Sequence, residues 1–218
     1  MYAYAIVRER DVARLEDVPD LDGVPLRAIS SGTLAMLVSE GAPTASDPVR
    51  YMDAVRAISD RATAIPLRAS HAPTDETSVA ATLRAGAARF ESMLDRFDGA
   101  REWSVRFDPG EVSEEHATST GTSAGADYLR RERLRLAEQD GIDPSAARAA
   151  SDAAPLLAPL VREVRLLPTR DAGACLALLV PLDREDELRA HCDNTLEGFG
   201  KGLTLMGPWP PFSFTSPG

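Results

Sequence analysis

Hydrophobic and polar positions along the chain follow a pattern that repeats once, and the repeat predicts two similar halves. The opening residues alternate bulky and small apolar side chains, as in a strand with two different faces. Two short apolar runs around Ser30-Ser31-Gly32 are typical of a β-hairpin. Asp47-Pro48 then opens a helix whose apolar residues recur at helical spacing. The strands predicted in the first half span residues 2–7, 26–29, 33–38 and 65–68.

The second half repeats this order of elements without repeating the sequence. Asp143-Pro144 is again typical of a helix start, and the turn residues 169–173 separate two apolar runs. Each half therefore has the strand–helix–strand–strand–helix–strand order of a ferredoxin-like domain, and we expect helices on one face of each sheet. The strands predicted in the second half span residues 102–107, 161–167, 174–180 and 203–206.

The predicted fold class is α+β, with two modified ferredoxin-like domains that have antiparallel sheets, followed by a C-terminal strap. The N-terminal domain spans residues 1–98 and includes a helix over 76–97, where the apolar period is the strongest in the chain. The C-terminal domain spans residues 99–218. Its segment 108–125 is rich in Pro, Gly, Ser, Thr and Glu and has no apolar pattern, so we expect a mobile loop there.

The C-terminal strap, residues 207–218, contains three prolines and three aromatic residues within its first eight positions. This composition excludes an ordinary helix and predicts a stiff, extended, polyproline-like segment. The side chains of Trp209, Phe212 and Phe214 offer large apolar surfaces, so the strap should lie against protein. We expect Trp209 to be largely buried in the second domain, with its indole N–H bonded.

The same three aromatic residues are the candidates for binding a partner protein. Phe212 and Phe214 stand past the last proline pair, where a binding defect without loss of stability is most expected. Closure of the domain's own core and anchoring of a partner are alternatives that can share residues. A third alternative, recognition by a proline-binding module, is less favoured because the aromatics lie among the prolines.

Charge and length restrict the classes of protein further. The chain has 218 residues and a formal net charge of −10, which argues against a nucleic-acid or anionic-membrane surface. No signal peptide or apolar run of about 18 residues is present, so we expect a cytoplasmic protein without a membrane span. Cys175 and Cys192 make no disulfide framework and are expected to be small buried hydrophobes.

Residue types that carry chemistry are present but do not form a catalytic or metal-binding pattern. The histidines, His71, His116 and His191, are far apart and lack the spacing of metal ligands. Glu114-Glu115 next to His116 could serve acid–base catalysis, but the predicted mobile loop could not hold them in place. Gly200-Lys201 lacks the rest of a phosphate-binding loop. We therefore predict no catalytic, cofactor-binding or metal-binding residues.

The residues from Leu205 to Phe214 resemble the C-terminal signature of the gas vesicle GvpF/GvpL family. The likeness covers nearly the whole chain. Three departures are Met206, where that family usually has threonine, Phe212, where it often has tyrosine, and Ile65–His71, which lacks the usual Phe-Gly pair. The other segments that resemble the family are residues 1–7, 31–39, 102–106 and 126–129.

The resemblance implies an accessory protein needed for gas vesicle formation, located in the cytoplasm and at the gas vesicle. The implied partners are the small, strongly apolar shell protein GvpA and other accessory gas vesicle proteins, with no nucleic acid, membrane or cofactor. The implied mode of action is protein contact, not catalysis. The residues themselves leave two other classes open, a ferredoxin-like enzyme and a regulatory module that binds a small ligand.

Overall fold

The computed structural model describes residues 1–40, 48–68, 73–108, 141–195 and 203–215. The chain forms two compact units. The first unit is Met1–Gly99 together with Trp209–Gly218, and the second is Ala100–Pro208. This division differs from the predicted one, which assigned the whole C-terminal strap to the second domain.

The first unit is built on a four-stranded sheet in the order β2-β3-β1-β4. The first strand of the chain is thus central, between the third and the fourth, as expected for the split βαβ arrangement. β1 pairs antiparallel with both β3 and β4. The strands are β1 (Tyr2–Arg8), β2 (Arg27–Ser31), β3 (Leu34–Ser39) and β4 (Ala64–Pro66), the helices are α1 (Pro48–Ser59), α2 (Glu76–Ala85) and α3 (Ala87–Phe97), and a 3-10 helix spans Glu9–Arg14.

Helices cover both faces of this first sheet. Residues that pair across antiparallel strands share a face, so Val7 and Ala35 point to one side, and Ile6 and Met36 to the other. Val7 and Ala35 belong to a core cluster with residues of α1, whereas α2 packs on β2 and β3, and α3 on β1 and β4. The expectation of helices on one face is therefore wrong for this unit. Its central strands are apolar on both faces, and each face requires a cover.

The helix predicted over residues 76–97 is two helices that meet at Gly86. Gly86 has φ −100° and ψ 7°, which ends α2 and starts α3. A Cβ at this position would lie 2.4 Å from the ring of Phe90, so the ring occupies the space that a side chain would need. The apolar period continues through both helices, and for that reason the pattern alone did not show the break. Asp75 begins α2 with a capping box in which Ser78 participates.

The second unit has the same topology as the first, with strands in the order β6-β7-β5-β8. β7 pairs antiparallel with β5 and with β6. The strands predicted in this half are thereby confirmed. The elements are β5 (Ala100–Phe107), α4 (Pro144–Leu157), β6 (Glu163–Pro168), β7 (Ala174–Pro181), α5 (Glu185–Thr195) and β8 (Leu203–Trp209).

A helix rich in alanine closes the core of the second unit. Asp143 begins α4, since its carboxylate accepts hydrogen bonds from the backbone N–H groups of Ser145 (2.9 Å) and Ala146 (3.2 Å). The hydroxyl of Ser145 donates to the same carboxylate, and this bond is the main reason why the pKa of Asp143 lies below its ordinary value. The alanines that α4 buries against β5 and β7 are Ala146, Ala147, Ala149, Ala150 and Ala153.

Several sequence predictions fall outside the described residues. Beyond Asp108, the predicted mobile loop 108–125 lies there, as do His71, His116 and Gly200-Lys201.

Candidate partner-binding site

The C-terminal strap changes conformation along its length. It leaves β8 at Trp209, continues through two buried prolines and ends in a 3-10 helix at Phe212–Phe214. The Phe212 carbonyl closes this turn, because it accepts hydrogen bonds from the backbone N–H (3.3 Å) and the hydroxyl (2.9 Å) of Thr215. The prediction of an extended strap therefore does not hold for its final turn, in which the Phe212 carbonyl has its hydrogen-bond partners within the turn itself.

Gly207 allows β8 to approach β5 at the start of the strap. Its φ is +139°, a region that favours glycine. A Cβ at this position would lie 3.0 Å from the Trp103 ring and 3.1 Å from the Glu102 carbonyl oxygen. Backbone conformation and close packing thus both require glycine here.

Phe214 fixes the end of the strap to the first unit. Its side chain is 1% exposed, and its carbonyl accepts a hydrogen bond of 2.5 Å from Arg96. The carbonyl of Thr215 accepts a bond of 3.3 Å from Arg89. Arg89 and Arg96 are seven residues apart on α3, so their side chains leave the helix on nearly the same side. One buried ring and two backbone carbonyls therefore hold the strap in place.

Trp209 and Phe212 keep part of their surface exposed. Both are half-buried. The guanidinium carbon of Arg56 lies 4.7 Å from the centroid of the Trp209 ring, a cation–π contact, and Phe212 packs against the core cluster between α1 and the first sheet. Trp209 is thus buried in part, and it belongs to the first unit and not to the second domain, whereas Phe214 is the most deeply buried of the three aromatic residues. The reason is that the final turn directs Phe214 inward, while Trp209 stands where β8 ends.

The surface that receives the strap is named here the strap-binding surface and is defined by Arg56 on α1 and by Arg89 and Arg96 on α3. α1 and α3 lie on opposite faces of the first sheet, and both contact β4. β4 is an edge strand. The two helices that contact the strap therefore flank an edge of the sheet, where unpaired backbone groups need protection.

Sequence reasoning identified the aromatic residues of this site but missed the arginines that hold it. The spacing of Arg89 and Arg96 was a usable signal, because two cations seven residues apart on a helix lie on one line. Arg56 stands four residues before Asp60, a spacing that by itself indicates an ion pair on the outer side of a helix. No local pattern connects it with a tryptophan more than 150 positions further along the chain.

The buried indole bond that was expected for Trp209 occurs at the other tryptophan. Trp103 is 3% exposed, and its indole N–H donates to Glu185 at 3.0 Å. Arg189 lies over its ring, with 4.7 Å between the guanidinium carbon and the ring centroid. Trp103 thus joins β5 to α5 within the second unit.

The two cysteines have environments that keep their thiols protonated. Burial raises the pKa of both Cys175 and Cys192 to about 11. Both are free thiols, and Cys192 is buried in the core of the second unit. A protonated thiol is a weak nucleophile, so the arrangement favours a packing role for both residues.

A cleft of about 520 Å³ opens on the first unit between β1, β3 and α3. Two of its side-chain pairs are bonded to each other: Arg8 pairs with Asp95 at 2.6 Å, and the hydroxyl of Thr33 donates to Glu91 at 2.5 Å. Over the described part of the chain, no group of three or more His, Cys, Asp or Glu residues is placed to hold a metal ion. None of the helices in that part is long and apolar enough to cross a membrane.

Two solved structures have a similar fold. One is the crystal structure of the gas vesicle protein GvpF from Anabaena sp. PCC7120, with a TM-score of 0.69 and 15% identity over 100% of this chain and 96% of that chain. The other is gas vesicle protein GvpF from Microcystis aeruginosa, with a TM-score of 0.68 and 15% identity over 99% of this chain and 98% of that one. At this identity the two structures establish the α+β fold alone.

Sequence comparison identifies the family. Gas vesicle protein L of Streptomyces sp. (strain CB03234) is 28% identical over 247 residues, which cover 98% of this chain and 91% of that protein. The model of the family described as gas vesicle synthesis protein GvpL/GvpF matches residues 1–216. This match extends over both ferredoxin-like units and the strap, and the chain therefore belongs to the GvpL/GvpF family of gas vesicle synthesis proteins.

Proposed function

We propose that this protein assists gas vesicle formation by binding the shell protein GvpA and other accessory gas vesicle proteins through the exposed parts of Trp209 and Phe212. The observation that carries this proposal is the difference in burial among the three aromatic residues of the strap. Phe214 is buried and holds the segment in place, whereas Trp209 and Phe212 each keep a smaller part of their aromatic surface exposed. Rigid aromatic residues of this kind commonly dominate protein interfaces.

A strongly apolar partner fits such a surface. The indole of Trp209, with Arg56 on its face, can contact apolar groups and still remain next to a cation. Covering the apolar faces of shell subunits before assembly would protect them from aggregation. The protein would act in the cytoplasm and at the gas vesicle. It would act by protein contact, through the aromatic surface of the strap.

Capture of purified shell protein by the full-length chain tests this function. We expect Trp209→Ala and Phe212→Ala each to reduce capture by about tenfold, the effect of losing one interface anchor. Their melting temperatures should fall less than that of Phe214→Ala, which should lose stability and capture together. Val24→Ala is the matched control, because Val24 is an exposed apolar residue of the same unit and lies outside the strap. Capture at the wild-type level by both Trp209→Ala and Phe212→Ala would refute the assignment of these residues.

A further inference from the structure

The C-terminal strap packs on the first unit, although the second unit separates it from that unit in sequence. Its final residues belong to the first unit, although the chain from Ala100 to Pro208 forms the second. The bonds that hold it come from side chains of α3 to the carbonyls of Phe214 and Thr215. A surface that binds backbone carbonyls and one ring resembles a peptide-binding site more than a continuous core.

Part of the strap's conformation is fixed by its own residues. Three prolines fix backbone angles over residues 208–211. The final turn is closed by local bonds, from the backbone N–H of Phe214 to the Pro211 carbonyl and from Thr215 to the Phe212 carbonyl. Because part of this order is made within the segment, less conformational entropy is lost when the segment binds. The same contacts can form with a strap from the same chain or from another molecule.

We propose that the strap-binding surface accepts the strap of a second copy of this chain, which gives a dimer by exchange of the C-terminal segment. The contacts in the exchanged form are those of the closed form: Phe214 buried, Arg96 and Arg89 on the carbonyls, and Arg56 on Trp209. Exchange of a terminal element between identical subunits needs no new interface, since the seat and the segment already fit each other. This inference does not depend on which gas vesicle protein the chain binds.

Two complementary full-length variants test the exchange. Arg96→Glu damages the strap-binding surface, because a carboxylate replaces the donor to the Phe214 carbonyl, and leaves the strap intact. Phe214→Ala damages the strap and leaves the surface intact. Neither variant has both an intact strap and an intact strap-binding surface. In a mixture, however, the intact strap of Arg96→Glu can bind the intact surface of Phe214→Ala. We expect the mixture to contain a one-to-one heterodimer that native mass spectrometry detects, with a higher melting temperature than either variant alone.

The matched control is a mixture of Phe214→Ala with the double variant Phe214→Ala/Arg96→Glu, in which no intact strap is present. No heterodimer is expected there. If Phe214→Ala does not fold, Phe214→Leu keeps an apolar side chain and takes its place. Formation of the heterodimer in the test mixture alone establishes exchange. If both mixtures behave as the sum of their components, or if both form heterodimers, exchange through this segment is refuted.

Discussion

The two units have the same strand order but close their cores in different ways. In the first unit, stacked tyrosines fill the space under α1: the rings of Tyr4 and Tyr51 lie 5.4 Å apart, and Tyr2 meets both edge-on. Phe212, supplied by the far end of the chain, packs against the same cluster. In the second unit, the corresponding space is filled by the small side chains of α4, with Ala150 fully buried.

This difference shows that the same strand order can be combined with large side chains under one helix and with small side chains under the other. A face lined with alanines lets a helix lie close to the sheet, so added volume there has no room. Aromatic rings hold a helix further away and bring polar atoms into the core, which then need partners. The first unit should therefore be sensitive to lost contacts and lost hydrogen bonds, and the second to added atoms.

The largest effect is expected from removal of the segment that completes the first unit. Phe214→Ala should lower the free energy of unfolding of this unit by about 3–5 kcal/mol, because it leaves a cavity where a fully buried ring was. Hydrogen exchange followed by mass spectrometry, read separately for the two units, measures this change. Protection in α4 and β7 should stay as in the wild type. Phe212→Ala is the control within the strap and should cost less, since that ring is half-buried.

The second unit should respond to a larger side chain at its alanine face. Ala150→Leu places three additional carbon atoms between α4 and the sheet and should cost about 1–3 kcal/mol. Arg148→Leu introduces the same side chain on the exposed side of the helix and should change stability little. Denaturant unfolding of both variants makes the comparison. Equal stability of the two would show that α4 does not lie close to the sheet.

The aromatic core of the first unit should lose stability when a single hydroxyl is removed. The hydroxyl of Tyr51 donates to the Leu67 carbonyl at 2.5 Å, so Tyr51→Phe should cost about 1–2 kcal/mol by leaving that carbonyl without this partner. Tyr4→Phe should cost less, because the bonds of its hydroxyl to Leu21 and Ser39 are long, at 3.4 and 3.5 Å. Chemical denaturation at pH 7 ranks the two variants. The same cost for both would mean that ring packing alone determines stability here.

The same hydroxyl predicts a dependence on alkaline pH. Burial raises the pKa of Tyr51 above its ordinary value of 10.0. The unfolded chain releases this proton near pH 10 while the folded chain keeps it, so the wild type loses stability as the pH rises above 10.0. Tyr51→Phe should lose less stability over this range. Unfolding curves between pH 9 and pH 11 reveal whether the two proteins differ in slope.

The smallest effect concerns the cap of α4. Asp143→Ala should lower stability by about 1 kcal/mol, since two backbone N–H groups lose their acceptor. The folded-state pKa of Asp143 is lowered, so its contribution is present above 3.8, the ordinary value, and disappears as the pH falls through the lowered pKa. The stabilities of wild type and variant should therefore converge in acid. A constant difference down to pH 2 would contradict this role of the carboxylate.

Local patterns were sufficient to predict most of the fold. The alternation in β1, the apolar runs of β3 and β7 and the start of α4 at Asp143-Pro144 all lie within a few neighbouring residues, and the structure has these elements where they were expected. The break at Gly86 was missed because the apolar period runs through it. Its cause, the position of the Phe90 ring, is a contact and not a pattern.

The candidate site shows the limit of such patterns. The aromatic residues of the strap indicated a segment that needs a surface, which is a local property. Which unit supplies that surface depends on Arg96 and Arg56, more than 110 residues away in sequence. No periodicity relates positions at that distance, and so the burial of Phe214 in the first unit was not predicted.

The seating of the strap on the first unit has a consequence for the order of events during synthesis. Roughly 110 residues separate Gly99 from Trp209. At a translation rate of 5–20 residues per second, the first unit waits roughly 5–20 s for the segment that carries Phe214. During this interval the nascent chain exposes the empty apolar site of Phe214, a feature that chaperones and other nascent chains bind. A protein whose first half is complete only when its last residues arrive therefore has a vulnerable period at every round of translation.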